Sequence, residues 1–149
     1  MSLTFPLAKP SDLTIIIGLM RELYEQDHLV FDERMAQKAV TRFLLDHSLG
    51  RLWLIALKGK PIGYMALTFG YSLEYHGRDA FLDEIYIQQA YRGKGLGTKA
   101  ISFVEEECRS LGVHALHLEV ERENKTAQNF YHKMGFKDHD RYLLTKWMS

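Results

Sequence analysis

Three glycines and three cations alternate just ahead of a long helical pattern. They lie in the segment Arg92-Gly93-Lys94-Gly95-Leu96-Gly97-Thr98-Lys99, which follows the apolar run Phe81–Ile87. Glycine lets the backbone approach a ligand closely and adopt conformations that a side chain forbids. A helix N-terminus adds unpaired N–H groups and a partial positive charge, so the segment is suited to bind phosphate. The competing interpretation is a flexible loop with solvated lysines, and glycine spacing alone does not decide between the two.

Two other phosphate-binding motifs share features with this segment. A P-loop requires a Gly-Lys-Ser/Thr ending, which the chain lacks. The run Gly95–Ala100 fits the dinucleotide fingerprint with a terminal alanine, and Glu119 or Glu121 follows at about the right distance of roughly 20 residues. That fingerprint should follow its strand directly, whereas QQAYR intervenes after Ile87, and the chain then ends too soon for a second nucleotide-binding half.

Hydrophobic periodicity and turn residues predict the elements that must position this segment. Strands are predicted over 3–7, 51–57, 62–72, 80–87 and 115–120, helices from 10–12 and from 32 and over 96–111 and 124–134, and one or two last strands within 136–148. The inward stripe of the second helix is predicted to be Met35, Ala39, Val40, Phe43 and Leu44. This order predicts one α/β (α+β) domain over 1–149, with a mixed sheet and helices on its faces.

The composition is that of an ordinary soluble protein of 149 residues, with 46% hydrophobic and 26% charged residues. Basic and acidic residues number 19 each, which argues against nucleic-acid binding because that requires a basic surface. The single cysteine, Cys108, excludes an intrachain disulfide and suits a reducing compartment. No apolar run is long enough to span a membrane and no signal sequence is evident, so we expect a cytoplasmic protein without membrane contacts.

The glycine segment resembles a known signature. Arg92–Gly97 is similar to the acyl-CoA motif Arg/Gln-x-x-Gly-x-Gly/Ala of the GNAT superfamily of N-acetyltransferases, and Leu82–Ile87 (LDEIYI) looks like that family's fourth strand. Glu121–Phe136 (ERENKTAQNFYHKMGF) matches its second signature, an Asn followed by Phe-Tyr and Gly-Phe. The element order is also similar along nearly the whole chain, although residues 1–80 match only in pattern. The resemblance implies the acyl-CoA N-acyltransferase fold, whose mixed, mostly antiparallel sheet is splayed near its centre and carries helices on both faces.

The resemblance implies that the bound anion is the diphosphate of acetyl-CoA. The amides from Arg92 to Thr98 would hold the diphosphate, and the backbones of Ile85 and Ile87 would pair with the pantetheine arm. Asn124 would reach the same arm from the next helix, or it only caps that helix. The expected coenzyme-binding residues are Ile85, Ile87, Arg92, Gly93, Lys94, Gly95, Leu96, Gly97, Thr98, Asn124 and Tyr131.

Acyl transfer from a thioester to an amine requires a proton donor for the departing thiolate and donors for the oxyanion. The resemblance places Tyr131 near the coenzyme sulfur, where a neutral phenol can donate a proton. The alternative is that Tyr131 lines the core, because Ala127, Phe130, Tyr131 and Met134 have helical spacing. The backbone N–H of Ile87 is the candidate oxyanion donor by the same resemblance.

The attacking amine must also lose a proton, because an alkylammonium with a pKa near 10.4 has no lone pair. Asp83 and Glu84 are the candidate bases. Adjacent residues of a strand point to opposite faces, so only one of them can easily face the substrate. We favour Glu84 for its reach; the alternative is that either carboxylate only attracts a cationic substrate or pairs with Arg78 or Arg92.

The other reactive residue types give weaker signals. The seven histidines form no recognised zinc spacing with Cys108, which lies on a helical stripe, so we expect neither a metal site nor a cysteine nucleophile. Acidic residues are frequent where the family lines its acceptor site, and they either attract a cationic amine or are ordinary loop and helix-end residues. These are Glu25, Asp27, Asp32, Glu33, Glu74, Asp83 and Glu84.

We therefore predict acetyl transfer from acetyl-CoA to a primary amine by direct attack in a ternary complex. The acceptor stays open between a polyamine, an aminoglycoside, a lysine side chain and a protein N-terminus. The alternatives are a catalytically silent acyl-CoA-binding module and a nucleotide-binding oxidoreductase. A homodimer through the last strands is a further expectation, since that region is apolar, although its residues could instead complete the core. The residues concerned are Phe136, Tyr142, Leu143, Leu144, Trp147 and Met148.

Overall fold

The computed structural model describes residues 2–149, which form two compact units. The first unit ends at Leu118 and contains a five-stranded sheet and three α-helices. The second unit spans Glu119–Ser149 and contains one α-helix.

The strands of the sheet lie side by side in chain order: β1 (Leu3–Thr4), β2 (Gly50–Leu57), β3 (Lys60–Ser72), β4 (Gly77–Ile87) and β5 (Ala115–His117). The first four are antiparallel neighbours, while β5 runs parallel to β4. The two-residue turn at Lys58 and Gly59, with φ of 52° and 77°, joins β2 to β3 as tight hairpins require. The predicted mixed, mostly antiparallel sheet is confirmed.

Helices cover both faces of this sheet, as predicted. They are α1 (Leu13–Gln26), α2 (Glu33–Leu45) and α3 (Leu96–Ser110). The first two share a core with Leu52 and Tyr64. On the opposite face Phe103 of α3 meets Trp53, with ring centroids 5.3 Å apart. Leu52 and Trp53 are neighbours in β2, so side-chain alternation along one strand supplies both cores.

The start of α2 is as predicted, and its inward stripe is confirmed for Val40, Phe43 and Leu44 but wrong for Met35 and Ala39. Asp32 caps the helix, because its carboxylate accepts a hydrogen bond from the N–H of Met35 at 3.1 Å. Val40 and Leu44 are buried, whereas Met35 and Ala39 are exposed, and Ala36 and Phe43 complete the stripe. Since residues 36, 40, 43 and 44 share one helical face, residues 35 and 39 lie one step around the helix.

β4 and β5 pair only briefly and then separate. Their ladder covers Asp79–Phe81 against Ala115–His117. Two residues later β4 contains a bulge: Leu82 faces Leu67 and Glu84 faces Ala66, which leaves Asp83 without a partner. The predicted strand 115–120 is therefore too long, because a strand exists only where a neighbouring backbone completes its ladder.

The helix of the second unit is α4 (Lys125–Lys133), with Asn124 as its N-cap. The side-chain oxygen of Asn124 accepts a hydrogen bond from the N–H of Ala127 at 3.1 Å, and Gly135, with φ of 98°, follows the helix end. Within the described chain no strand forms over 136–148, so the predicted last strands are wrong. The reason is that apolar, β-prone residues form a strand only against a partner, and the aromatic and aliphatic side chains from Tyr142 to Met148 remain exposed.

Candidate active site

The glycine segment forms an open cradle of backbone amides at the start of α3. Gly93 and Gly95 each have φ of 76°, and no atom lies within 4 Å of the Cβ that a side chain would add. The first helical hydrogen bond runs from the N–H of Lys99 to the carbonyl of Gly95. In the part of the chain that the structure describes, no protein acceptor receives the N–H groups of residues 93–98. Unsatisfied donors at a helix N-terminus suit a phosphate group.

Arg92 differs from residues 93–98 in having protein partners, and its contact with the diphosphate stays a prediction. Its N–H donates to the carbonyl of Gln89, while its Nε donates to the carbonyl of Ile87 at 2.7 Å. The guanidinium also donates to the side-chain oxygen of Gln26 and lies 5.6 Å from the ring centroid of Tyr86. Arg92 therefore fixes the start of the loop to β4 and α1.

Lys94 lies beside an aromatic ring rather than alone in solvent. Its Nζ is 5.9 Å from the ring centroid of Tyr91, and the Nζ of Lys60 is 5.8 Å from the same centroid. Lys60 also donates a hydrogen bond to the Tyr91 hydroxyl at 3.2 Å. Sequence reasoning missed Lys60, because it is the first residue of β3 and only the pairing of β3 with β4 brings it next to the loop.

The outer edge of β4 offers backbone groups on the side facing away from β3. The N–H of Gln88 donates to the carbonyl of Ile62, and such positions alternate along an antiparallel strand. Ile85 and Ile87 consequently direct their N–H groups away from β3. Within the described residues β5 does not pair with this part of β4. Because the two strands separate, this part of β4 has an open edge. It is the edge that the resemblance assigns to the pantetheine arm.

Glu84 is half-buried and lies between two phenols. Its Oε2 accepts from the hydroxyl of Tyr24 at 2.5 Å, and its Oε1 accepts from the hydroxyl of Tyr64 at 2.8 Å. Burial raises the pKa of the Glu84 carboxyl above its ordinary 4.5, the two phenolic hydrogen bonds oppose that rise, and the charges of Asp83 and Asp27 add to it. The Glu84 carboxylate therefore takes up a proton at a higher pH than an ordinary glutamate carboxylate does.

Asp83 occupies the bulge and is more exposed than Glu84. Partial burial raises the pKa of the Asp83 carboxyl as well. Because the bulge adds one residue between Leu82 and Glu84, simple alternation does not assign a face to Asp83, and opposite faces for the two carboxylates stay a prediction. Glu84 pairs with Ala66 and so shares the face of the α1–α2 core, to which Ala66 belongs.

A second ionisable pair, which sequence reasoning missed, lies where β5 leaves β4. The Nε2 of His117 is 3.1 Å from a carboxylate oxygen of Asp79, and both side chains are largely buried. The His117 ring also contacts Phe81 and Tyr75, with centroids 5.0 Å and 4.8 Å away. Only the parallel pairing of the two strands brings these residues together.

The two site residues of the second unit have local partners there. Tyr131 packs between Phe130 and Phe136, with ring centroids 5.1 Å and 5.7 Å away. Burial raises the pKa of its phenol, so the group keeps its proton at neutral pH. Asn124 fills the predicted cap, and its NH2 group makes no hydrogen bond to another described residue.

The remaining reactive groups form no further recognisable centre. Among residues 2–149, no cluster of three or more histidine, cysteine or acidic side chains could hold a metal ion. Cys108 is buried on α3, and burial raises the pKa of its thiol to about 11. Searching the same residues reveals no helix with the length and hydrophobicity needed to cross a bilayer.

Comparison with known proteins decides the family. The model of the acetyltransferase (GNAT) family matches residues 17–136. The chain belongs to the GNAT family. A thialysine N-epsilon-acetyltransferase from Bos taurus is 31% identical over 140 residues, covering 88% of this chain and 82% of the relative.

Solved structures agree with this GNAT assignment. An integron cassette protein from the mobile metagenome of Cole Harbour Salt Marsh has a TM-score of 0.86 and 33% identity, covering 97% of this chain and 90% of that chain. A predicted acetyltransferase from Clostridium acetobutylicum, described with acetyl-CoA, shares the fold with a TM-score of 0.82 at 16% identity, covering 97% and 96%. The predicted acyl-CoA N-acyltransferase fold is thereby confirmed.

This GNAT protein is an acetyl-CoA-dependent N-acetyltransferase. The alternatives of a silent acyl-CoA-binding module and a nucleotide-binding oxidoreductase are therefore set aside. The cradle at residues 93–98 fits the coenzyme, because it combines open glycines with free amides at a helix start.

Proposed function

We propose that the enzyme transfers the acetyl group of acetyl-CoA directly to a primary amine in a ternary complex, with Glu84 as the general base. The observation that carries this proposal is the half-buried Glu84, whose pKa is raised by burial and which lies on β4 next to Ile85. A carboxylate whose pKa is raised is a stronger base than an ordinary one and can accept a proton from an ammonium group, directly or through water. Asp83 is the alternative base.

The coenzyme is proposed to bind along the entrance to α3 and the outer edge of β4. The amides of residues 93–98 would hold the diphosphate, and the backbones of Ile85 and Ile87 would pair with the pantetheine arm. Arg92 supports the loop through its bonds to Ile87 and Gln26. Asn124 is proposed to contact the coenzyme through its NH2 group, which makes no hydrogen bond to another described residue.

The reaction requires three proton transfers, because the ammonium nitrogen loses two protons on becoming an amide and the thiolate gains one. Glu84 takes the first proton from the ammonium group, and the neutral nitrogen then forms a bond to the thioester carbonyl carbon. The N–H of Ile87 is proposed to stabilise the oxyanion. When the C–S bond breaks, Tyr131 gives its phenolic proton to the departing thiolate, and the resulting phenolate takes the second proton from the nitrogen of the new amide, directly or through water. An acetylated Cys108 is not part of the scheme, because a buried thiol with a pKa of about 11 holds its proton at neutral pH.

The proposed acceptor is a small cationic primary amine of the kind that thialysine represents. One support is the relative named for its action on thialysine, which matches this chain over 88% of its length. A second support is the negative charge of Asp27 and Asp83 beside Glu84, which favours an ammonium group. Polyamines, lysine side chains, aminoglycosides and protein N-termini are the competing acceptors.

Thiol release with a panel of amines tests the proposal. Thialysine, lysine, a diamine, an aminoglycoside and a peptide with a free N-terminus are compared at saturating acetyl-CoA. We expect the highest kcat/KM for the small cationic amines. Intersecting initial-velocity lines are expected when both substrates are varied, whereas parallel lines would indicate an acetyl-enzyme and contradict direct attack.

Three broader expectations belong to the same proposal. Because the family match spans the boundary after Leu118, we propose that both units form one N-acetyltransferase domain. A single cysteine supports the cytoplasm as its compartment. Homodimer formation is supported by exposed apolar residues near the C-terminus. These residues are Tyr142, Leu143, Leu144, Trp147 and Met148. Light scattering of the protein as it elutes from a gel-filtration column measures its molar mass and so checks this expectation.

A further inference from the structure

The carboxylate of Glu84 has one phenolic donor on each of its oxygens. Tyr64 donates to Oε1 at 2.8 Å and Tyr24 donates to Oε2 at 2.5 Å. Tyr64 is completely buried in β3, while Tyr24 is half-buried in the last turns of α1. A carboxylate oxygen accepts about two hydrogen bonds, so each oxygen keeps one free position for an ammonium group or a water.

The two phenols come from different sides of the carboxylate. Tyr64 belongs to the neighbouring strand, opposite Tyr86 and two residues before Ala66, which faces Glu84. Tyr24 comes from the helix above the sheet, and its ring packs edge-on against Phe31 at a centroid distance of 5.5 Å. Two donors from separate elements fix both the position and the plane of the carboxyl group, whereas one donor would leave it free to rotate.

We propose that Tyr24 and Tyr64 are positioning residues that hold the Glu84 carboxylate in one orientation and favour its ionised form, so that it can accept a proton from the amine. This inference rests on the proposed role of Glu84 as the base. Two hydrogen bonds to the charged form oppose the effect of burial on Glu84. Without them the buried group would be protonated over more of the pH range and would lose its capacity to act as a base.

Other ionisable groups near Glu84 do not supply this stabilisation. Asp83 on the same strand and Asp27 after α1 are both acidic, and their charges disfavour a further carboxylate. No cation forms an ion pair with Glu84 within residues 2–149. The two hydroxyl groups are therefore the protein donors that stabilise its charge.

Titration of Glu84 in the full-length protein tests this inference. The side-chain carboxyl carbons of glutamate are labelled with ¹³C, and Glu84→Gln identifies the Glu84 signal. We expect Tyr64→Phe and Tyr24→Phe each to shift the Glu84 titration to higher pH. Tyr86→Phe is the matched control, because its hydroxyl donates to Glu22 at 2.9 Å instead of to Glu84. Unchanged acetyl-CoA affinity and circular dichroism show that each variant is folded.

Turnover supplies a second readout. The acid limb of the profile of kcat against pH should move to higher pH in both variants. A shift of about one pH unit lowers kcat roughly tenfold at a given pH on that limb. A Glu84 titration that is the same in wild type, Tyr64→Phe and Tyr24→Phe would overturn the positioning role. Tyr24→Phe changes a half-buried side chain and keeps the test valid if Tyr64→Phe fails to fold.

The two proposals can fail separately. A shifted Glu84 titration in a protein whose kcat is insensitive to Glu84→Gln supports the positioning role but contradicts Glu84 as the base. An unshifted Glu84 titration together with a large loss of kcat in Glu84→Gln supports Glu84 as the base but contradicts the positioning role of the two tyrosines.

Discussion

Burial of Glu84 disfavours its charged form, and this should make the stability of the protein depend on pH. Burial raises the pKa of its carboxyl, so between the ordinary value of 4.5 and the raised value the folded state binds more protons than the unfolded state. Under that condition the free energy of unfolding decreases as pH rises. The contribution of Glu84 to the free energy of unfolding is fully present below its ordinary pKa of 4.5. It is lost as pH rises through the raised pKa of the folded state.

We therefore expect the free energy of unfolding of wild type, minus that of Glu84→Gln, to fall as pH rises from about 4 to about 8. Urea unfolding at a series of pH values measures this difference. Asp83 also has a raised pKa, but it is present in both proteins and largely cancels. A difference that stays constant or grows over this range would contradict a desolvated Glu84.

Tyr131 permits a separate residue-level prediction. Its buried phenol keeps its proton well into the alkaline range, as a donor to a thiolate must. Tyr131→Phe should lower kcat by about 10²-fold, the usual scale for losing a general acid, and weaken acetyl-CoA binding far less. Steady-state kinetics and calorimetry make the two measurements.

A matched control for Tyr131 is Tyr71→Phe, which removes the hydroxyl of an exposed tyrosine in the first unit. Wild-type turnover is expected for this control. If Tyr131→Phe also turned over like wild type, the thiolate would leave without help from this residue.

At the scale of elements, the two ends of α3 allow the conformational role of glycine to be distinguished from its role at a ligand site. Gly95 before the helix and Gly112 after it have φ of 76° and 72°, with no atom within 4 Å of an added Cβ. Alanine at such positions costs about 1 kcal/mol or more, because L-residues avoid left-handed backbone. The same change at both ends of one helix therefore tests where that cost appears.

Gly95→Ala should raise the Kd for acetyl-CoA about fivefold, since about 1 kcal/mol corresponds to that factor. The open loop can relax in the free protein, and it must recover its conformation when the coenzyme binds. Gly112→Ala should lower the free energy of unfolding by about 1 kcal/mol without changing that Kd. Equal coenzyme affinity in both variants would mean that the diphosphate does not use this loop.

The elements also show what a single sequence can predict. Local signals placed the Asp32 and Asn124 caps, the glycines after α3 and α4, and the hairpin before β3, because caps and tight turns depend on a few adjacent residues. The last strands failed because a strand needs a distant partner. The phenols on Glu84 were missed for the same reason: the pairs Tyr24–Glu84 and Tyr64–Glu84 are 60 and 20 residues apart.

For the whole molecule, charge distribution matters more than net charge. Equal numbers of acidic and basic residues, 19 each, give the chain no overall attraction for a cation or an anion. The cradle at residues 93–98 nevertheless has cationic neighbours in the chain, whereas Asp27 and Asp83, whose charges act on Glu84, are acidic. A neutral protein with this separation can attract an anionic coenzyme and a cationic acceptor to different places.

This separation predicts a salt effect that depends on the charge of the acceptor. At saturating acetyl-CoA, raising ionic strength from about 0.01 M to about 0.15 M should lower kcat/KM for a diamine severalfold, because the screening length shrinks from about 30 Å to about 8 Å. Asp27→Asn removes one charge near Glu84 and should flatten that dependence while leaving the Kd for acetyl-CoA unchanged. Initial rates across a salt series provide the slopes. Identical slopes for wild type and Asp27→Asn would show that local negative charge does not attract the acceptor, and the acceptor class would then have to be explained by shape and hydrogen bonding.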